Sequence, residues 1–284
     1  MEIITPGLVR SLLPRRRQDG HKGSFGRVYV YGGCVGYTGA PVYAGEAAVR
    51  TGSGLVFVGV PEEVYPIVAV RCAAAMAHPA PADYGALLDR VRSCDGALIG
   101  PGLGRGAAAE ETVCRLLEDY DGPVVLDADG INAVSAHIDV LDRRRGRPGR
   151  GETVLTPHEG EFLRLGGDLS AGRERAAVDF ARRHGCVLAL KGPGTLVAAP
   201  DGRILRNPTG NCGLAKGGSG DVLAGMALSL IGQGAGGLAS AVCAVWLHGR
   251  AGDLAAEDRG EYGMTPSDLI GQIPYAMKEL LDKE

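Results

Sequence analysis

Residues 207–226 read NPTGNCGLAKGGSGDVLAGM, a glycine-rich backbone that leads directly into an apolar helix beginning near Asp221. Such a junction is built to hold an anion. Free amides of the turn Gly217, Gly218, Ser219, Gly220 and Asp221 point at one phosphate group, the helix dipole adds favourable potential, and the missing glycine side chains admit its oxygens. The segment is not a Walker A loop: counted from Gly210 the required second glycine is Ala215, and Lys216 is followed by Gly217 instead of Ser or Thr. Two readings of the mouth stand side by side. Either Ser219 caps the helix and Asp221 complements its dipole, or Asp221 accepts a proton from a substrate hydroxyl attacking phosphorus while the amides stabilise the transferring group.

Upstream, KGPGT at 191–195 follows the apolar run CVLAL. Lys191 is therefore expected at a strand end beside a flexible turn, either as a nucleotide contact or as a surface lysine entering a hairpin. LTPHEGE at 155–161 places Thr156, Pro157 and Glu159 in the order of N-cap, first helical residue and capping acid. His158 has no second histidine at Phe162, which excludes an HExxH zinc site and leaves a substrate hydrogen bond or no role. In LDADGIN, 126–132, one of Asp127 and Asp129 is expected to cap the next helix, the other to hold water or magnesium near phosphates. GALIGPGLGRGA, 96–107, carries Gly102-x-Gly104-x-x-Ala107 after a strand, a loose dinucleotide fingerprint weakened by Pro101 and Gly106. HKGSFG at 21–26 and GGCVGYTGAP at 32–41 form a further glycine-rich mouth.

Between these clusters lie short apolar runs, at 27–33, 54–60, 96–100, 123–129, 153–157 and 186–192, suited to strands buried on both faces. Helical spacing separates them, as in Val113, Leu116, Leu117 and Tyr120, or Ala176, Ala177, Phe180 and Ala181. The pattern predicts an α/β fold with a mostly parallel sheet, its ligands at the carboxyl ends of the strands where the glycines sit. Residues 195–207 instead predict a hairpin through Asp201-Gly202. The 26 uncharged residues 222–247 are split by GQGAGG into two buried helices, each too short to span a bilayer. RRRGRPGRG at 143–151 reads as a solvated basic loop.

The 284 residues contain 45% hydrophobic and 22% charged side chains, enough for a sizeable core. A single domain over 1–284 is expected, with neither repeat nor linker. Thirty basic against thirty-three acidic residues leave a net charge of −3, no drive towards nucleic acid or anionic membrane. Seven scattered cysteines without a CxxC fit a reducing cytosol, and the first twenty residues make a poor signal peptide.

In this order, HKGSFG, GGCVGYTGAP, IGPGLG, DADGIN, LTPHEGE, KGPGT and GNCGLAKGGSGD resemble the NAD(P)H-hydrate dehydratase family of the ribokinase-like superfamily over nearly the whole chain. The resemblance implies a ribokinase-like fold and dehydration of the S epimer of hydrated NADH or NADPH, using ADP or ATP with Mg2+. A kinase step on the ring hydroxyl would be followed by elimination of phosphate. It further implies Asp221 as the base and as a substrate contact. Lys191, Gly192, Pro193, Gly194, Thr195 and Gly220 would hold the adenine nucleotide, and Ala40, Gly102, Gly104 and His158 the hydrated cofactor. A homo-oligomer, often a tetramer, and a separate epimerase are expected with it, in the cytoplasm. Glu159 stands where the family usually has proline, and Cys34 where serine is common. A vitamin-precursor kinase on the same fold, and a Rossmann oxidoreductase binding NAD through Gly102 and Gly104, are the competing expectations.

Overall fold

Strands that are apolar at every position need a layer of helices on each side, and the computed structural model, which describes residues 1–145 and 149–282, supplies both. Its strands are β1 (Glu2–Ile3), β2 (Arg27–Tyr31), β3 (Leu55–Val60), β4 (Met76–Pro79), β5 (Gly96–Ile99), β6 (Val124–Leu126), β7 (Thr153–Leu155), β8 (Val187–Leu190), β9 (Leu196–Ala198) and β10 (Ile204–Arg206). They form one sheet in the order β1-β10-β9-β8-β7-β6-β5-β2-β3-β4. Among the described strands only β9 runs against its neighbours, through the hairpin expected at 201–202. All six predicted parallel strands are present. The two-residue β1 and the edge strand β4 were not anticipated, because neither carries an apolar run.

The helices are α1 (Pro6–Leu12), α2 (Gly39–Arg50), α3 (Tyr65–Arg71), α4 (Tyr84–Arg92), α5 (Ala107–Asp119), α6 (Asp129–Ser135), α7 (Asp139–Arg145), α8 (Glu159–Arg164), α9 (Arg173–His184), α10 (Ser219–Gly232), α11 (Gly237–Gly263) and α12 (Pro266–Asp282). Alternation along each strand divides the core. Val28, Val30, Leu98, Val125 and Ala189 face α2, α10, α11 and α12, whereas Tyr29, Ile99, Leu126 and Leu190 face α4 to α9. Chain order runs outward from β2 through β3 to β4, then resumes at β5 on the other side of β2. The crevice between β2 and β5 is therefore a switch point, where loops diverge and leave room for ligands.

The basic segment departs from its reading as a solvated loop. Residues 143–145 complete α7, and Arg144 is 2% exposed. Its guanidinium donates to the carbonyls of Leu117 (3.0 Å), Tyr120 (2.5 Å) and Gly122 and to Thr153 Oγ1 (3.0 Å). Arg150 donates to Tyr120 O and Glu118 O. Both arginines satisfy the carbonyls orphaned at the end of α5, so their charge is structural. Residues 146–148 of that segment lie outside the described residues.

Candidate functional site

Three adjacent strands bring their carboxyl ends to one spot: β6 is followed by Asp127, β7 by Thr156 and His158, and β8 by Lys191. Asp127 is 1% exposed, and its Oδ1 accepts hydrogen bonds from Lys191 Nζ at 2.8 Å and Thr156 Oγ1 at 2.7 Å. Lys191 also lies 3.8 Å from Glu161. Burial by itself would lower the lysine pKa; the carboxylates of Asp127 and Glu161 outweigh it and hold the ammonium above its ordinary value.

The first turn of α10 stands over this pair. Gly218 is its N-cap, at φ 100°, and no side chain caps the turn. A Cβ at Gly218 would come within 2.9 Å of the Tyr43 ring and Pro266, so both backbone and packing demand glycine. The helix consequently starts at Ser219, two residues before the expected position, and Ser219 is a buried first-turn residue instead of the cap. Gly220 abuts the pair, since a Cβ there would lie 3.2 Å from Lys191 Nζ. Burial pushes the Asp221 carboxyl up to about 7, the charge of Asp127 adding to the rise and Lys191 opposing it.

These groups share a cavity of about 1170 Å³, lined by all five residues 191–195, all five residues 217–221, Asp127 and His158. Arg206, Asn207 and His248 also line it, and sequence reasoning missed them. His248 is the first non-apolar side chain after the uncharged run 222–247, the only signal that set it apart. Its Nε2 lies 2.9 Å from Ser219 O. Lys216 also lines the cavity, but its Nζ is engaged by the carbonyls of Tyr262, in the last turn of α11, and Met264 just after it.

The capping frame at 155–161 shifts by two residues. Lys191 N donates to Pro157 O at 2.8 Å, keeping 156–157 in the extended sheet, so His158 becomes the N-cap and Glu161 the reciprocal acid. His158 Nδ1 accepts from Glu161 N at 3.2 Å, which places the proton of the neutral ring on Nε2, 3.5 Å from Glu161 Oε1. Neither aspartate of DADGIN caps α6. The N-cap position falls to Ala128 at φ 49°, Asp127 is held by Lys191, and Asp129 Oδ2 accepts from Gly104 N at 2.9 Å.

Ala40, Gly102 and Gly104 do not line the cavity. They cluster with one another: a Cβ on Gly102 would sit 3.1 Å from Ala40 Cβ and 2.6 Å from Tyr37 O. Gly102 and Gly104 thus pack against the loop after β2, while α5 opens only at Ala107 behind Gly106. The Gly104–Asp129 bond ties this mouth to the segment carrying Asp127, and the charge of Asp129 is felt at Asp221. Among the described residues no group of three or more His, Cys, Asp and Glu side chains is placed to hold a metal ion. No described helix is long and apolar enough to cross a membrane.

A sheet with this strand order, carrying a glycine-opened helix over its carboxyl edge, defines a ribokinase-like α/β protein. Within that class the chain belongs to the NAD(P)H-hydrate dehydratase family, whose model matches residues 28–275. It is 41% identical to the bifunctional NAD(P)H-hydrate repair enzyme Nnr of Moorella thermoacetica, over 98% of this chain and 54% of that protein. The chain spans about half the length of such bifunctional relatives. It is 38% identical to the ADP-dependent (S)-NAD(P)H-hydrate dehydratase of Neisseria meningitidis, covering 94% of this chain and 89% of that one. The ADP/ATP-dependent NAD(P)H-hydrate dehydratase of Bacillus subtilis, co-crystallized with ATP/Mg2+, superposes with a TM-score of 0.83 at 30% identity, over 98% of both chains.

Proposed function

We propose that this chain dehydrates the S epimer of hydrated NADH or NADPH at the expense of ADP or ATP, returning a damaged nicotinamide cofactor to its reduced form. The observation that carries this reading is Asp221, a half-buried carboxyl with its pKa raised to about 7, at the uncapped mouth of α10 beside the Lys191–Asp127 pair. Nucleotide phosphates lie along Lys191–Thr195 and Gly217–Gly220, the ammonium and the first-turn amides facing their charge. The hydrated ring enters from the mouth formed by Ala40, Gly102 and Gly104, with His158 Nε2 as a donor to it.

Asp221 takes the proton of the ring hydroxyl as that oxygen bonds to the terminal phosphorus and the nucleotide leaves. The phosphate ester is a better leaving group than hydroxide. The ring nitrogen lone pair expels it as phosphate, and loss of a proton from the adjacent carbon restores the dihydronicotinamide double bond. The amides of Gly217–Gly220 hold the transferring group throughout.

The donor set fits a magnesium ion carried by the nucleotide. Magnesium binds through one or two carboxylates plus phosphates and water, and Asp127 engages its two donors with Oδ1, leaving Oδ2 on the Gly220 side. Asp127 would hold it, and when bound it neutralises charge on the phosphate oxygens. The same reading carries a cytoplasmic, homo-oligomeric enzyme, in tetramers, working alongside an epimerase activity.

Incubation with hydrated NADH, magnesium and ADP or ATP tests the proposal: the absorbance of the dihydronicotinamide returns. No recovery with either nucleotide rejects it, and accumulation of a phosphorylated small molecule instead favours the kinase reading.

A further inference from the structure

The first turn of α10 has no side-chain cap, yet it must present its amides in one orientation if they are to grip a transferring phosphoryl group. Something outside the turn has to fix it. His248, near the middle of α11, lines the same cavity and places Nε2 2.9 Å from the carbonyl oxygen of Ser219. A carbonyl accepts, so Nε2 carries the proton.

The peptide joining Ser219 to Gly220 is planar and trans, which makes its C=O and N–H antiparallel. Anchoring the Ser219 carbonyl on His248 therefore also sets the direction of the Gly220 N–H, one of the amides at the helix mouth. Asp221 is the next residue, so the same anchor governs where its Cα stands. We propose that His248 is a positioning residue for phosphoryl transfer, acting on the Gly220 amide and Asp221 through the Ser219 carbonyl; this rests on the reading of the α10 mouth as the phosphate site.

Two features of the surroundings agree with it. Burial depresses the His248 pKa to about 4, with Lys191 opposing protonation further, so the ring stays neutral over the working pH range. His248 therefore adds no positive charge beside Lys191. Of the groups acting on the ring, the Ser219 carbonyl stabilises its proton and the Lys191 charge repels it.

The test compares H248Q, whose amide nitrogen reaches the Nε2 position, with H248L and H248N, which lack a donor there. ADP binding is measured by calorimetry and turnover with hydrated NADH, magnesium and ADP in parallel. We expect H248L and H248N to lose about ten- to a hundredfold in kcat, the scale of a misplaced reacting group, with the ADP Kd changed by less than about threefold. H248Q is expected to recover kcat to within about threefold of the wild type. H248N keeps a polar side chain, so the comparison stands even where H248L fails to fold. Wild-type-like kcat in H248N or H248L overturns the positioning role alone. Losses that follow melting temperature equally in all three variants, H248Q included, also overturn it. A wild-type chain that binds no ADP overturns the phosphate site and this inference with it.

Discussion

In the proposed mechanism Asp221 sets the pH behaviour of the site. Its carboxyl is raised to about 7, so below that pH it is protonated and cannot take up the hydroxyl proton. The kcat/KM for the hydrated cofactor should rise with pH through about 7, and D221N should flatten the profile at strongly reduced turnover while ADP binding survives. Turnover unchanged in D221N would remove it from the mechanism. Stability runs the opposite way. A carboxyl whose folded pKa exceeds its ordinary 3.8 stabilises the fold fully below that value and loses the contribution as pH rises to about 7. D221N is therefore expected to melt higher than the wild type at pH 8, by about 2–4 °C. Lys191 is the counterpart. K191A leaves Asp127 buried without its ammonium, and loss of one partner from a buried pair costs about 3–5 kcal/mol; urea denaturation reads it directly, and a cost below about 1 kcal/mol would mean that Thr156 alone satisfies Asp127.

Among the elements, the end of α5 gives the sharpest contrast. Arg144 bonds four carbonyls and Thr153, whereas Arg143 forms exposed ion pairs with Glu118 and Asp139. R144A should cost about 3–5 kcal/mol by stranding buried carbonyls and R143A at most about 1 kcal/mol, both read as midpoints of urea unfolding. Equal effects would refute the structural assignment. This is also where sequence reading reached its limit. Parallel strands announce themselves because every position is apolar, so β2, β3 and β5 to β8 were legible. Arginine looks alike whether it meets water or a helix end, since its partners are backbone carbonyls that no sequence displays. The same blindness explains the caps. SGD and TPHE each contain several acceptable capping residues, and the choice fell to Gly218 through its left-handed turn and to His158 through the bridge between β7 and β8. His248 was hidden for a related reason: its partner is a main-chain oxygen in another helix.

For the molecule as a whole, most of the cavity wall comes from 191–249, joined by Ile3, Asp127, Ala128 and His158, while the second mouth combines residues 32–41 and 100–129 from across the switch point. Filling the cavity should tie these parts together and resist unfolding. At a concentration one hundred times its Kd, ADP with magnesium is expected to add about 2.7 kcal/mol, seen as a higher melting temperature that scales with nucleotide concentration; a melting temperature indifferent to nucleotide would contradict the assigned cavity. Strand β1 has a practical bearing on all of these measurements. It pairs with β10, and its Ile3 contributes to the cavity wall. Any histidine-rich purification tag joined directly ahead of β1 would therefore hang at the rim of the cavity, where it would sequester metal and obstruct entry.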